Sequence, residues 1–209
     1  MKVVIIGASG FVGSAILNEA LNRGHVVTAI VRNPEKISIT SPNLKVVKAD
    51  VTNAEEVAKA VAGNEAVISS YSSFDTPTYV TAINAIIDGT RKAGIKRILA
   101  VSGAGSLEVA PGVQMVDTPS FPAEWKGGAL ATREAFYVIR QQNDLDWTVF
   151  SPAAEIAPGE RTGKFRLGKD QLVTDADGHS RISTADYAIA MIDELEKPQH
   201  IKARFTIAY

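Results

Sequence analysis

The chain has 209 residues, of which 45% are hydrophobic, so it can bury one substantial core, and we predict a single domain over 1–209. Its 22 basic and 23 acidic side chains give a net charge of -1 with no block of either sign, which argues against a nucleic-acid or membrane partner. The absence of cysteine excludes disulfides and thiolate nucleophiles, and the histidines lack metal-ligand spacing, so no metal site is expected.

The N-terminal residues predict a strand and not a signal peptide, because the apolar run after Lys2 stops at Gly7. No apolar stretch approaches the roughly 20 residues that a membrane-spanning helix needs. We therefore expect a cytoplasmic protein that acts on a small molecule, as a monomer or weak homodimer.

Short runs rich in Val and Ile alternate along the chain with longer segments of helical periodicity. This alternation is typical of repeated strand-helix-strand units around a parallel sheet buried on both faces. The predicted strands are 3–6, 26–31, 44–48, 66–70, 97–101, 147–150 and 204–208. The predicted helices are 11–23, 54–62, 79–92, 124–142 and 183–195.

Right-handed crossovers between such strands give an α/β fold with a doubly wound parallel sheet and helices on both faces. In such a sheet, ligands bind beyond the carboxyl ends of the strands, where the strand order reverses. The loops that follow the predicted strands are therefore the places to search for a site.

A glycine-rich loop, Gly-Ala-Ser-Gly-Phe-Val-Gly, joins the first strand to the first helix. Gly7 permits a tight turn, Gly10 lets backbone amides approach a pyrophosphate at the positive end of the helix, and Gly13 lets the helix pack closely on the sheet. A purely structural turn is the alternative. We predict that this loop holds the phosphates of a dinucleotide through Gly7, Ser9, Gly10, Phe11, Val12 and Gly13. With this loop, the predicted fold is the NAD(P)-binding Rossmann fold.

The end of the second strand predicts which dinucleotide is bound. NAD-selective proteins usually carry an acid there, which accepts hydrogen bonds from the ribose 2′-hydroxyl, but this chain carries Arg32. A guanidinium cannot accept a hydrogen bond, whereas it can clamp a 2′-phosphate. Arg32, with help from Ser9, therefore favours NADP(H) over NAD(H). A solvated surface arginine is the alternative.

Other strand ends supply further candidates. An acid and an apolar residue after the third strand can contact adenine, although helix capping explains the acid nearly as well. Small hydroxyl residues and a glycine end the fourth and fifth strands, where the nicotinamide ribose should lie. These predicted cofactor-binding residues are Asp50, Val51, Ser69, Ser70 and Gly103, with Ser102 beside them.

Several segments together resemble the atypical short-chain dehydrogenase/reductase superfamily over essentially the whole chain. The likeness is greatest to its branch of small NADH-flavin reductases, akin to biliverdin reductase B and the NmrA-like proteins. The segments that carry the resemblance are 7–13, 31–34, 101–106, 150–153 and 182–188.

The resemblance implies that Pro152 and Ala153 border the nicotinamide end of the cofactor. It also implies that hydride passes from NAD(P)H to FMN, another flavin or a related flat acceptor. Ser102 is the best available hydroxyl for orienting the nicotinamide or the acceptor, so it is our candidate catalytic residue.

The chain departs from this superfamily in its acid catalyst. Standard members reduce carbonyls with a Tyr-x-x-x-Lys pair, which is absent here, and Trp125 and Ala129 stand at the equivalent positions. Hydride transfer to a flavin needs mainly stacking and proximity, for which Trp125 and Phe121 can form an apolar wall. We therefore predict an NAD(P)H-flavin oxidoreductase. A non-catalytic NADP(H)-sensing regulator and, less favoured, an epimerase or dehydratase are the alternatives.

Overall fold

The computed structural model describes all residues 1–209, and its elements follow the predicted alternation. The strands of the main sheet are β1 (Lys2–Ile6), β2 (Val26–Val31), β3 (Leu44–Lys48), β4 (Ala66–Ser69), β5 (Arg97–Val101), β8 (Asp146–Ser151), β10 (Arg166–Gly168) and β12 (Ala203–Ala208). Short strands outside it are β6 (Glu108–Ala110), β7 (Val113–Gln114), β9 (Glu155–Ala157) and β11 (Arg181–Ser183). The helices are α1 (Phe11–Asn22), α2 (Ala54–Val61), α3 (Thr76–Lys92), α4 (Ala123–Ile139) and α5 (Thr184–Glu196).

The main sheet has the strand order β10-β12-β8-β5-β4-β1-β2-β3. All neighbours in it are parallel except β10 and β12. The order reverses at β1, because β2 and β3 extend the sheet on one side and β4 and β5 on the other. The predicted doubly wound parallel sheet is thus confirmed, and its switch point lies between β1 and β4.

Two apolar clusters cover the two faces of the sheet. On one face α1 and α5 pack against alternate strand residues such as Ile5, and on the other face α2, α3 and α4 pack against residues such as Val4. Phe150 extends the first cluster, because its ring stacks on Tyr187 and Phe205 at centroid distances of 4.1 and 4.0 Å. The sheet is therefore buried on both faces, and its strand ends are what remain open to ligands.

Some boundaries differ from the sequence predictions. Helix α3 begins at Thr76, three residues earlier than predicted, because the Asp75 carboxylate caps it by accepting the Thr78 N–H at 2.9 Å. Helix α4 ends at Ile139 instead of 142. The short strands outside the predicted set pair over only two or three residues, too few for a periodic pattern. No helix in the structure is long and apolar enough to cross a membrane.

Candidate cofactor-binding site

A cleft of about 390 Å³ lies at the carboxyl edge of the sheet, at the switch point between β1 and β4. It is lined by residues from the loops after β1, β2, β3 and β4. The structure brings these predicted site residues together in its wall: Gly7, Ser9, Gly10, Arg32, Val51 and Ser70. The cleft therefore extends from the glycine-rich segment 7–13, called the phosphate loop below, to the end of the second strand, as a bound dinucleotide requires.

The glycines of the phosphate loop are explained by close backbone contacts. Gly7 has a φ of +77°, and a Cβ there would lie 2.6 Å from the Ser70 carbonyl oxygen. A Cβ at Gly13 would lie 2.1 Å from the Gly7 carbonyl oxygen. The loop is thus wedged between β4 and α1 at positions that no larger residue can fill.

The N-terminus of α1 offers free backbone donors to an anion. Its cap residue, Gly10, has no side chain to bond the amides of the first turn, which have no partner within the helix. Phe11, Val12 and Gly13 form this turn, and none of the three lines the cleft. With the helix dipole, these amides fit a pyrophosphate.

Two cations flank the other end of the cleft. Arg32 and Lys36 both line it and are exposed, and neither forms an ion pair within the chain. A single helical turn over Pro34–Lys36 brings the lysine back to the strand end that carries the arginine. Unpaired cations at this position are available to a phosphate ligand.

The third strand contributes one of its two predicted residues to the cleft. Val51 is buried and lines it, whereas Asp50 is exposed and does not. The Asp50 carboxylate accepts hydrogen bonds from the Thr52 hydroxyl at 2.7 Å and the Thr52 N–H at 2.9 Å, which lower its pKa. The capping role weighed for Asp50 belongs to Asn53, whose side chain accepts the first amides of α2.

The remaining predicted residues lie at the ends of β4, β5 and β8, outside the cleft wall. Gly103, Pro152 and Ala153 follow β5 and β8, and the last two are buried or nearly so. Ser69 and Ser102 each carry a buried hydroxyl oxygen with no hydrogen-bond partner. These hydroxyls are therefore free to form hydrogen bonds with polar groups of a ligand that reaches the strand ends.

Ser151 is a further hydroxyl that the sequence analysis missed. Its Oγ is buried and unpartnered like that of Ser102, and the register Val101↔Phe150 makes the two serines neighbours on adjacent strands. Its position directly after the predicted strand 147–150 was the signal that could have found it. Tyr71 and Ser72, which line the cleft after β4, could have been found in the same way.

Helix α4 carries the positions at which standard members of the superfamily have the Tyr-x-x-x-Lys pair. Trp125 is exposed, and Ala129 packs on the loop after β5, where a Cβ at Gly105 would lie 2.8 Å from its methyl group. The phenol of Tyr137, further along α4, bonds the Gln114 amide at 3.1 Å and so has a packing role. Helix α4 therefore carries no Tyr-x-x-x-Lys pair.

The sheet topology and this cleft define a dinucleotide-binding protein of the Rossmann class. A family model described as NAD(P)H-binding matches residues 7–196, and the chain belongs to this NAD(P)H-binding family. The uncharacterized protein YwnB from Bacillus subtilis is 42% identical over 212 residues, which cover 99% of this chain and 98% of the relative.

Solved structures agree with this assignment. A "putative epimerase" from Bacteroides thetaiotaomicron is 51% identical with a TM-score of 0.96, covering 100% of this chain and 96% of that one. A "putative NADH-flavin reductase" from Streptococcus pneumoniae is 38% identical with a TM-score of 0.88, covering 100% and 99%. The predicted resemblance to atypical short-chain dehydrogenases/reductases is thereby confirmed, while the names of these relatives differ in the activity that they give.

Proposed function

We propose that this protein is an NAD(P)H-dependent reductase that passes hydride to a flavin or a similar planar acceptor, with NADP(H) favoured over NAD(H). The observation that carries the proposal is a cleft at the switch point of the sheet in a chain whose helix α4 has Trp125 and Ala129 where carbonyl reductases have a Tyr-x-x-x-Lys pair. A flavin is an acceptor that can be reduced without that pair.

The residues that would hold the cofactor follow from the cleft. The amides after Gly10 and the dipole of α1 would bind the pyrophosphate, and Val51 would contact the adenine. Arg32, assisted by Lys36, would bind the 2′-phosphate of NADP(H), which is the basis for preferring it. The nicotinamide end is assigned to the strand ends at Ser70, Ser102, Gly103, Pro152 and Ala153.

The proposed hydride transfer requires the protein mainly to position the nicotinamide and flavin rings. NAD(P)H, when bound, would supply a hydride, which with one proton from water would reduce the flavin and leave NAD(P)⁺. The chain's own contribution would be to hold the two rings in contact and to orient them, for which the unpartnered Ser102 hydroxyl is our candidate.

The alternatives are weaker on specific grounds. An epimerase or dehydratase needs a general acid and base, and the acid-pair positions hold an indole and a methyl group. A non-catalytic NADP(H) sensor would be favoured if the segment 103–122 closed the site. Part of this segment is instead bonded to residues 170–172: the Glu108 N–H donates to the Asp170 carbonyl at 2.8 Å, and the Glu108 carbonyl accepts the Leu172 N–H at 2.9 Å.

The direct test is loss of the NADPH absorbance band with purified protein, with and without FMN or riboflavin. NADH in place of NADPH and a reaction without protein are the controls. We expect flavin-dependent oxidation faster than the protein-free rate and faster with NADPH than with NADH. Tight NADPH binding without turnover on any flavin would contradict the reductase and support the sensor.

A cytoplasmic location and a monomeric or weakly dimeric state belong to the same proposal. A similar solved structure from Burkholderia pseudomallei, 47% identical with a TM-score of 0.91 and covering 100% of both chains, is named a "putative exported protein". Fractionation of cells that express the chain checks the location. Light scattering on a sizing column checks the mass, for which we expect 22.3 kDa at high dilution.

A further inference from the structure

Two large aromatic side chains stand exposed beside the carboxyl edge of the sheet. Phe74, in the loop between β4 and α3, is 72% exposed, and Trp125, in the first turn of α4, is 59% exposed. Phe74 follows closely after Tyr71 and Ser72, which line the cofactor cleft. Exposed aromatic rings at the margin of a ligand cleft are candidates for ligand contact.

The Phe74 ring is held against a helix backbone. A Cβ at Gly128 in α4 would lie 2.9 Å from two carbon atoms of this ring, so the ring occupies the space that a side chain would take. Glycine is a poor helix former, yet Gly127 and Gly128 stand together in α4. The glycine at 128 therefore supports one side of a ring whose other side stays open to solvent.

Trp125 belongs to the same surface. It precedes Gly128 by three residues, so the two lie next to each other on one side of the helix. One turn further on, Thr132 contacts Gly103, with 3.4 Å between the Thr132 Cγ2 and a Cβ built at the glycine. Helix α4 thus connects the two exposed rings to the end of β5, where the nicotinamide is assigned.

We propose that Phe74 and Trp125 form an aromatic platform that binds the planar heteroaromatic ring of the hydride acceptor by stacking. This inference rests on the proposed function and assigns the acceptor side of the site. Flat apolar faces attract flat π-systems, and beyond the indole N–H of Trp125 these two residues offer no polar group to a small carbonyl substrate. The platform takes the place of the acid pair and selects acceptors by ring area.

The test measures the dissociation constant of riboflavin by quenching of its own fluorescence, with protein saturated with NADP⁺ so that no turnover occurs. We expect Phe74→Ala and Trp125→Ala each to weaken binding about tenfold, the scale of one stacking contact. Trp125→Phe should restore most of the affinity, because phenylalanine retains a stacking ring.

A matched pair of glycine substitutions tests the geometry itself. Gly128→Ala would push the Phe74 ring aside, whereas a Cβ at Gly127 meets only the Phe74 carbonyl oxygen at 3.9 Å. Both changes favour the helix, so neither should unfold the protein. We expect Gly128→Ala to weaken riboflavin binding several-fold and Gly127→Ala to leave it unchanged, with equal NADPH affinity in both.

The outcomes separate the platform from the reductase activity. Riboflavin affinity that is the same in the wild type and all four variants at 74, 125 and 128 overturns the platform, even if flavin-dependent NADPH oxidation is observed. Affinity that falls as expected supports the platform, even if no turnover is found and the proposed function fails. Leu167→Ala, which removes an exposed apolar side chain from the outermost strand β10, serves as a control for nonspecific flavin adsorption.

Discussion

Arg32 is the residue on which the cofactor preference depends. Its guanidinium is exposed at the cleft and has no acidic partner, so its charge is free for a 2′-phosphate. Arg32→Asp should raise the NADPH dissociation constant about 5- to 150-fold, since a lost charge-assisted contact costs roughly 1 to 3 kcal/mol. Isothermal titration with NADPH measures this change.

NADH and a second charge reversal provide the controls for that experiment. NADH lacks the 2′-phosphate, so its affinity should change little or improve. Lys59→Glu reverses a charge of the same sign on the exposed side of α2 and should leave NADPH binding intact. Equal NADPH affinity in wild type and Arg32→Asp would exclude the clamp.

Ser102 tests whether an unpartnered hydroxyl serves the ligand. Because its buried Oγ has no bond within the protein, Ser102→Ala loses no hydrogen bond and should change the free energy of unfolding by less than about 1 kcal/mol. If the hydroxyl orients the bound rings, the turnover number with flavin should fall about tenfold. Stopped-flow kinetics and urea unfolding on the same variant measure both quantities, and unchanged turnover would reduce Ser102 to a packing residue.

The site residues that follow strands could be predicted from the sequence, because the carboxyl ends of parallel strands share one edge. Arg32 and Val51 were found by this rule, and Ser151 could have been. Phe74 could not be predicted as a site residue, because its ring packs against Gly128, 54 residues away, and no local sequence pattern indicates that contact.

At the scale of elements, the unit of β1, the phosphate loop and α1 is the most constrained part of the chain. A Cβ at Gly13 would lie 2.1 Å from the Gly7 carbonyl oxygen, so α1 must move away from the sheet to accept it. Gly13→Ala should destabilise the protein by at least about 1 to 3 kcal/mol, as overpacking does, and abolish NADPH binding. Thermal unfolding with and without NADPH measures both effects.

A glycine in a helix without such a contact is the control for Gly13→Ala. Gly127→Ala should leave the melting temperature unchanged or raise it, because alanine is the better helix former. If Gly13→Ala were equally well tolerated, the close packing of α1 on the loop would not be what requires glycine there.

Strands and helices with a long pattern of apolar residues were predicted from the sequence, and those without such a pattern were missed or misplaced. Buried parallel strands are continuous Val and Ile runs, so β1 and β2 were located to within a residue. The start of α3 was misplaced because a single carboxylate, that of Asp75, sets it. The strand β10 is fixed by antiparallel pairing with β12 rather than by its own residues.

At the scale of the whole molecule, one buried carboxylate ties together strands that are far apart in sequence. Glu194, on α5, accepts hydrogen bonds from the Arg97 guanidinium at 2.9 Å, the Thr148 hydroxyl at 3.3 Å and the His200 ring at 2.8 Å. Burial raises the pKa of Glu194, but the hydrogen bonds from His200 and the amide of Gln199 lower it more. The folded state therefore holds this carboxylate below its ordinary pKa.

This depressed pKa predicts acid sensitivity of the whole fold. A carboxyl group whose pKa is lower in the folded than in the unfolded state contributes stability above its unfolded pKa of 4.5, and that contribution is lost as the pH falls through the folded pKa. Glu194→Gln should lower the free energy of unfolding at pH 7 by about 3 kcal/mol, because Arg97 loses its charged partner. It should also flatten the dependence of that free energy on pH below 4.5. Urea unfolding from pH 3 to 7 measures both.

Glu55 on α2 is the matched control, since its carboxylate also pairs with a cation, Lys92 at 2.6 Å, but is exposed. Glu55→Gln should leave the free energy of unfolding at pH 7 nearly unchanged, because water already solvates both charges of a surface pair. Equal effects of the two substitutions would mean that burial of Glu194 adds nothing to the stability. If Glu194→Gln retained the wild-type pH dependence, other buried carboxylates would cause the acid sensitivity. Asp186 would then be the next residue to replace, because it accepts hydrogen bonds from the Thr162 and Gly163 amides at 2.8 Å.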